Sequence, residues 1–117
     1  MDLRRRSMMD DSKAEDLYMA ACDGNEDLVA VYIEIGANVN WKENEGRWTA
    51  LHRSAWRGDL HIARRLVRAG AQIEERSMNG HTPLLTAAFH GRLNVVRFLL
   101  LTGAEINTRI RFSSQAG

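Results

Sequence analysis

The sequence predicts an all-α fold, a repeat solenoid in which three antiparallel helix pairs stack side by side and are joined by hairpin-like turns. Two observations carry this prediction: short motifs recur at a spacing of 33 residues, and glycines recur where the helices would end. The recurring segments are residues 49–52 and 82–85, Gly58 and Gly91, and residues 70–71 and 103–104. A repeat of this length fits one helix pair per unit.

An earlier copy lies upstream, displaced by 34 residues instead of 33, as Gly24 is from Gly58. The extra residue falls in the turn between the first two units, because residues 46–49 contain one residue more than residues 80–82. Either Arg47 or Trp48 is the inserted residue.

Each unit carries a short first helix with small residues and a longer second helix with one apolar face. The small residues are Ala20 and Ala21, Ser54 and Ala55, and Ala87 and Ala88. The apolar faces are Leu28, Val29, Tyr32 and Ile33; Ile62, Ala63, Leu66 and Val67; and Val95, Val96, Leu99 and Leu100. No unit covers its own apolar surface, so the units are expected to stack.

The repeat spacing predicts the boundaries of the domain and of its three repeats. We expect a flexible tail over residues 1–11, a three-repeat domain over 12–110 (repeats 12–45, 46–79 and 80–110), and a second flexible tail over 111–117. Ser12 and Glu15 match a capping box, which predicts that the first helix begins at Ser12.

Thr82, Pro83 and Leu84, together with the period and the helix pairs, resemble the ankyrin repeat. The resemblance implies that His52 is a structural histidine that hydrogen-bonds locally and toward the neighbouring unit. Leu85 and Tyr18 stand at the matching positions of the other units, so that network is expected to be incomplete.

Charge and cysteine content narrow the class of protein. The formal net charge is +1, which argues against non-specific nucleic-acid binding. Cys22 is the only cysteine, so the chain forms no internal disulfide and suits a reducing compartment, cytoplasmic or nuclear. No apolar run is long enough to span a membrane.

No pattern of catalysis or metal binding emerges from the sequence. The four histidines, His52, His61, His81 and His90, fall on different elements, and one cysteine cannot complete a zinc site with them. No phosphate-binding loop or nucleophile motif is present. We therefore expect no enzyme activity, cofactor or metal.

The resemblance implies that partners contact the turn tips and the exposed side of the first helices. The residues at those positions are Arg47, Trp48, Trp56, Arg57, Met78, Asn79, His81, Phe89 and His90. Trp56 and Phe89 carry the sharpest signal, since aromatic side chains are enriched at binding hot spots. The alternative is that the rings only stiffen a short array, which we favour for Trp41.

The sequence thus predicts a protein-interaction module, an adaptor or a competitive inhibitor of a partner protein. A second hypothesis is a nucleic-acid-associated role through arginines; these are Arg4, Arg5, Arg6, Arg64, Arg65, Arg68, Arg109 and Arg111. Phosphorylation of Ser7 would largely neutralise the first three.

The far side of the third unit has no following helix pair and carries Leu101 where a polar residue is usual in the family. The tail could fold back on it, or a partner or second copy could cover it by self-association. A third hypothesis is that the chain is a truncated, stabilising fragment of a larger scaffold or enzyme.

Overall fold

A computed structural model describes the backbone of residues 3–104 and the side chains of residues 12–104. Over these residues every regular element is an α-helix, which confirms the predicted all-α repeat solenoid. The helices are α1 Leu3–Asp23, α2 Glu26–Glu34, α3 Ala50–Arg57, α4 Leu60–Arg68, α5 Pro83–Phe89 and α6 Leu93–Thr102.

The helices form two rows. The first helices α1, α3 and α5 contact one another in succession, and the second helices α2, α4 and α6 form the other row. Each first helix also packs on the second helix of its own repeat.

Helix boundaries follow from local chemistry at the positions that the sequence indicates. Thr49 and Thr82 cap α3 and α5, and their hydroxyl oxygens accept the amides of His52 and Leu85 at 3.2 Å. Gly58 ends α3 with φ +82°, a left-handed conformation that costs glycine no Cβ clash.

The first helix differs from the prediction. Helix α1 begins at Leu3 and continues to Asp23, so Ser12 lies within the helix and does not start it. The predicted capping role of Ser12 is therefore wrong, because a capping-box pattern is equally compatible with the interior of a longer helix. Residues 3–11, for which we expected a flexible tail, belong to α1, whereas residues 111–117 lie outside the described part of the chain.

The core is built between repeats. One buried cluster joins the first two repeats through α1 to α4, and a second joins α3, α5 and α6. Ala21, Ala55 and Ala87 are fully buried, as small residues at close helix contacts should be. All four predicted apolar residues of α4 are buried or half-buried.

Leu28 and Leu100 belong to the predicted apolar faces of α2 and α6 but are exposed. The difference has a simple physical reason. Helix α4 packs between two second helices, whereas α2 and α6 each contact one described second helix only.

His52 ties the second repeat to the third. It is fully buried, its Nδ1 accepts the amide of Thr49 at 3.2 Å, and its Nε2 donates to the carbonyl of His81 at 2.8 Å. Burial lowers the pKa of His52, which keeps the ring neutral. These bonds match the structural role that the ankyrin resemblance implies.

Candidate functional site

Five side chains from α3, the C-terminal end of α5 and the turn before α3 form a continuous surface, in which two are half-buried and three are exposed. We call this surface the aromatic face; its members are Trp48, Arg53, Trp56, Phe89 and His90. Trp56 is 40% and Phe89 79% exposed. Both rings are accessible, and their predicted contact with a partner stays a prediction.

Trp56 and His90 are locked together across two repeats. The indole Nε1 donates to His90 Nε2 at 2.6 Å, and the rings meet edge to face with centroids 5.7 Å apart. Because Nε2 accepts, the proton of the neutral ring lies on Nδ1, which donates to the Thr86 carbonyl at 3.0 Å. The orientation of Trp56 is therefore fixed by α5.

The row of rings continues beyond His90. Phe89 lies edge to face against His90 with centroids 5.6 Å apart. It also contacts the ring of His81 in the second turn, which is tilted against it with centroids 6.1 Å apart. Four rings from α3, α5 and the second turn thus follow one another along the stack. Trp56 and Phe89, both predicted to contact a partner, belong to this row.

Arg53 lies at the centre of this surface, and the sequence prediction missed it. Its guanidinium carbon is 5.1 Å from the ring centroid of Trp56, 5.2 Å from that of Trp48 and 5.9 Å from that of Tyr18. Its Nε donates to the Tyr18 hydroxyl at 3.0 Å. Such cation–π contacts hold an arginine in place. An arginine placed between two tryptophans in the sequence is the signal that could have found it.

The pKa shifts of Arg53 and Cys22 are consistent with their surroundings. Partial burial lowers the pKa of Arg53, but the hydrogen bond to the Tyr18 hydroxyl, together with the electrostatic effects of Tyr18, Cys22 and Glu43, raises it overall. Burial also raises the pKa of the Cys22 thiol, so the thiol stays protonated at neutral pH.

The turn before α3 is organised around one carboxylate. Glu43 accepts the amides of Glu45 at 2.9 Å and Gly46 at 2.5 Å, with a longer contact to the amide of Trp48. Partial burial opposes its ionisation, but these donors prevail and lower the pKa of Glu43. Arg47 adopts a left-handed φ of +58°, which accommodates the extra residue of this turn. Trp48 is held in place as a result.

The two turn tips are joined to each other. The amide of Met78 donates to the carbonyl of Gly46 at 2.7 Å, and Lys42 forms an ion pair with Glu75. Met78 and Asn79 remain exposed at the second tip. The tips therefore project in a fixed alignment beside the aromatic face.

Arg57 has a structural contact that the sequence prediction did not include. Its Nε donates to Asp59 at 2.6 Å and its Nη1 to the Cys22 carbonyl at 3.4 Å, near the end of α1. Arg92 contacts the Trp56 carbonyl in the same way, at 2.9 Å. A cation near the C-terminus of a helix stabilises it. Trp56, Arg57 and Arg92 line an open cleft of about 260 Å³.

A second exposed surface lies on α6. Leu93, Val96, Arg97, Leu100 and Leu101 line an apolar groove of about 360 Å³, and Leu101 is 82% exposed. In residues 12–104 nothing packs over this groove, in line with the expectation that the far side of the third unit is uncovered.

Two arginines of the nucleic-acid hypothesis have partners within the protein. Arg65 forms an ion pair with Glu26 at 3.0 Å, and Arg64 lies over the Phe98 ring at 5.9 Å. The side chains of Arg4 to Arg6, Arg109 and Arg111 lie outside the described residues.

Histidine, cysteine and acidic side chains stay apart in the described part of the chain, where no group of three or more of them could hold a metal ion. None of the described helices combines the length and the apolar character needed to cross a bilayer.

The chain belongs to the ankyrin-repeat family: the family described as "Ankyrin repeats (3 copies)" matches residues 17–110. Human "2-5A-dependent ribonuclease" is 39% identical over 84 residues, which cover 72% of this chain and 11% of the ribonuclease. The rat "Ankyrin repeat and SAM domain-containing protein 6" is 34% identical over 69 residues, covering 59% of this chain and 8% of that protein.

The frog (Xenopus laevis) "Inhibitor of Bruton tyrosine kinase" is 30% identical over 79 residues, covering 67% of this chain and 6% of the inhibitor. The chain therefore spans about a tenth or less of the length of these relatives. Ankyrin repeats are in general non-catalytic, and the match to the ribonuclease concerns the repeat region alone.

Proposed function

We propose that this protein is an interaction module that binds a partner protein through the aromatic face and the two turn tips. The observation that carries the proposal is the exposure of Trp56, which His90 of the next repeat holds, and of Phe89, which packs against His90 and His81. Large rings that are already immobile lose little side-chain entropy when a partner covers them. Isolated exposed apolar residues are common, but a fixed row of them is typical of a binding site.

Within this proposal, we suggest two specific roles for the module: an adaptor, or a competitive inhibitor of its partner. A rigid surface suits both, because binding alone is enough to bring a partner to a site or to block it. One relative of similar sequence bears the name of a kinase inhibitor, which supports the inhibitory alternative. The cytoplasm and the nucleus are the proposed compartments, in keeping with a single half-buried thiol.

A pull-down with two matched double variants tests the proposal. Trp56→Ala with Phe89→Ala removes the two exposed rings of the aromatic face, and Leu93→Ala with Leu101→Ala removes two exposed apolar side chains from α6. We expect the first variant to lose bound partners at least tenfold, since hot-spot truncations cost about 2 kcal/mol or more. The second variant should retain them.

Circular dichroism of both variants provides the folding control. If the ring variant keeps its partners and the α6 variant loses them, the interface lies at the end of the stack and the proposal is wrong.

A further inference from the structure

Arg53 has hydrogen-bonding capacity that the protein itself leaves unused. An arginine carries five N–H donors, and here Nε serves the Tyr18 hydroxyl. Among the described residues no acceptor is hydrogen-bonded to its Nη1 or Nη2. The side chain is half-buried, and three aromatic rings surround its guanidinium carbon within 5.9 Å. The group is held rigidly but is not neutralised by an ion pair.

Glu43 acts on Arg53 electrostatically, but its oxygens bond to backbone amides and not to the arginine. Asp59 forms an ion pair with Arg57. Arg92 donates to a backbone carbonyl and so keeps its full charge beside Trp56. Among the described residues, Arg53 and Arg92 therefore form no ion pair with a carboxylate, although the Glu43 charge acts on Arg53 through space.

We propose that Arg53 is the specificity-determining residue of the aromatic face, and that it binds an aspartate or glutamate side chain of the partner protein that adjoins an apolar residue. A guanidinium binds a carboxylate through two parallel hydrogen bonds, for which the free Nη groups suffice. The apolar neighbour packs on Trp56 and Phe89. This inference rests on the proposed function and deepens it by naming the chemistry of the partner segment.

Pre-organisation explains why this arginine is suited to the role. A flexible surface arginine loses side-chain entropy when it pairs, whereas the rings around Arg53 have already restricted it. The rings also exclude water from the flanks of the guanidinium, which strengthens its attraction for a carboxylate. Arg64 on α4 lies over one ring only, that of Phe98 on α6, and is the natural comparison.

A phage-displayed library of random linear peptides, selected on the purified full chain, tests the proposal even while the partner is unidentified. Selections run in parallel on the parent, Arg53→Gln, Arg53→Lys and the matched control Arg64→Gln. Peptides that bind the aromatic face are identified by loss of binding to the Trp56→Ala, Phe89→Ala variant. Thermal melting confirms that each variant is folded.

We expect face-binding peptides from the parent and from Arg64→Gln to be enriched in aspartate or glutamate beside an apolar residue. Their affinity for Arg53→Gln should be lower than for the parent by a factor of about ten or more. Arg53→Lys should have an intermediate affinity, because lysine keeps the charge but lacks the paired N–H donors of a guanidinium. Face-binding peptides without acidic enrichment, or with equal affinity for Arg53→Gln, would overturn the role of Arg53 while leaving the proposed function intact. If no selected peptide depends on Trp56 and Phe89, both the proposed function and this inference fail.

Discussion

Replacing Leu66 by alanine is expected to destabilise the protein by about 2–5 kcal/mol, the range for truncating a fully buried leucine. Leu66 is fully buried on α4, where the central repeat packs against its neighbours. Domains of this size have a total free energy of unfolding of about 5–15 kcal/mol. The loss would therefore remove a large fraction of the stability of a three-repeat array.

Leu101→Ala is the matched control for this experiment. It deletes the same atoms from a side chain that is 82% exposed, so we expect a change within about 0.5 kcal/mol. Urea unfolding followed by circular dichroism measures both values. Similar losses for the two variants would show that α6 is as buried as α4 and would contradict the packing described here.

Replacing His52 by glutamine is expected to destabilise the protein by about 1–3 kcal/mol at neutral pH. The imidazole satisfies the amide of Thr49 and the carbonyl of His81 at once, and a buried group that loses its partner bears the full desolvation penalty. His61→Gln, at an exposed position of α4, is the matched control and should unfold like the parent.

The same pair of variants tests the protonation of His52. Burial lowers its pKa in the folded state, so the unfolded chain binds more protons below the ordinary value of 6.5. The contribution that the neutral His52 makes to the free energy of unfolding is therefore fully present above that pH. It decreases as the pH falls below it. The His52→Gln variant has no such pH-dependent contribution. The difference in free energy of unfolding between the parent and this variant should therefore become smaller as the pH falls from about 7.5 to 5.5. A constant difference, or the same behaviour in His61→Gln, would contradict the assignment.

The fold was predictable because its determinants are local and repeat. Gly58 stands where a left-handed residue ends α3, and Thr82 and Pro83 stand where α5 begins, so spacing alone identified the units. The same dependence on local patterns explains the wrong prediction for Ser12. A local capping pattern does not reveal that α1 extends further toward the N-terminus.

The candidate site was only partly predictable. The exposure of Trp56 and Phe89 follows from their place before the helix-ending glycines, which a sequence shows. The position of Arg53 depends on rings from α1, α3 and the preceding turn that meet only after stacking. The engagement of Arg57 with the Cys22 carbonyl likewise crosses between repeats.

The central claim is that a partner protein covers the aromatic face. It is tested most directly by NMR, with a purified partner from the pull-down titrated into the isotope-labelled chain. The indole N–H signal of Trp56 and the backbone amide of Phe89 should shift, while the methyl signals of Leu93 and Leu101 stay in place. Shifts confined to the leucine methyls, with the Trp56 signal unchanged, would contradict the account.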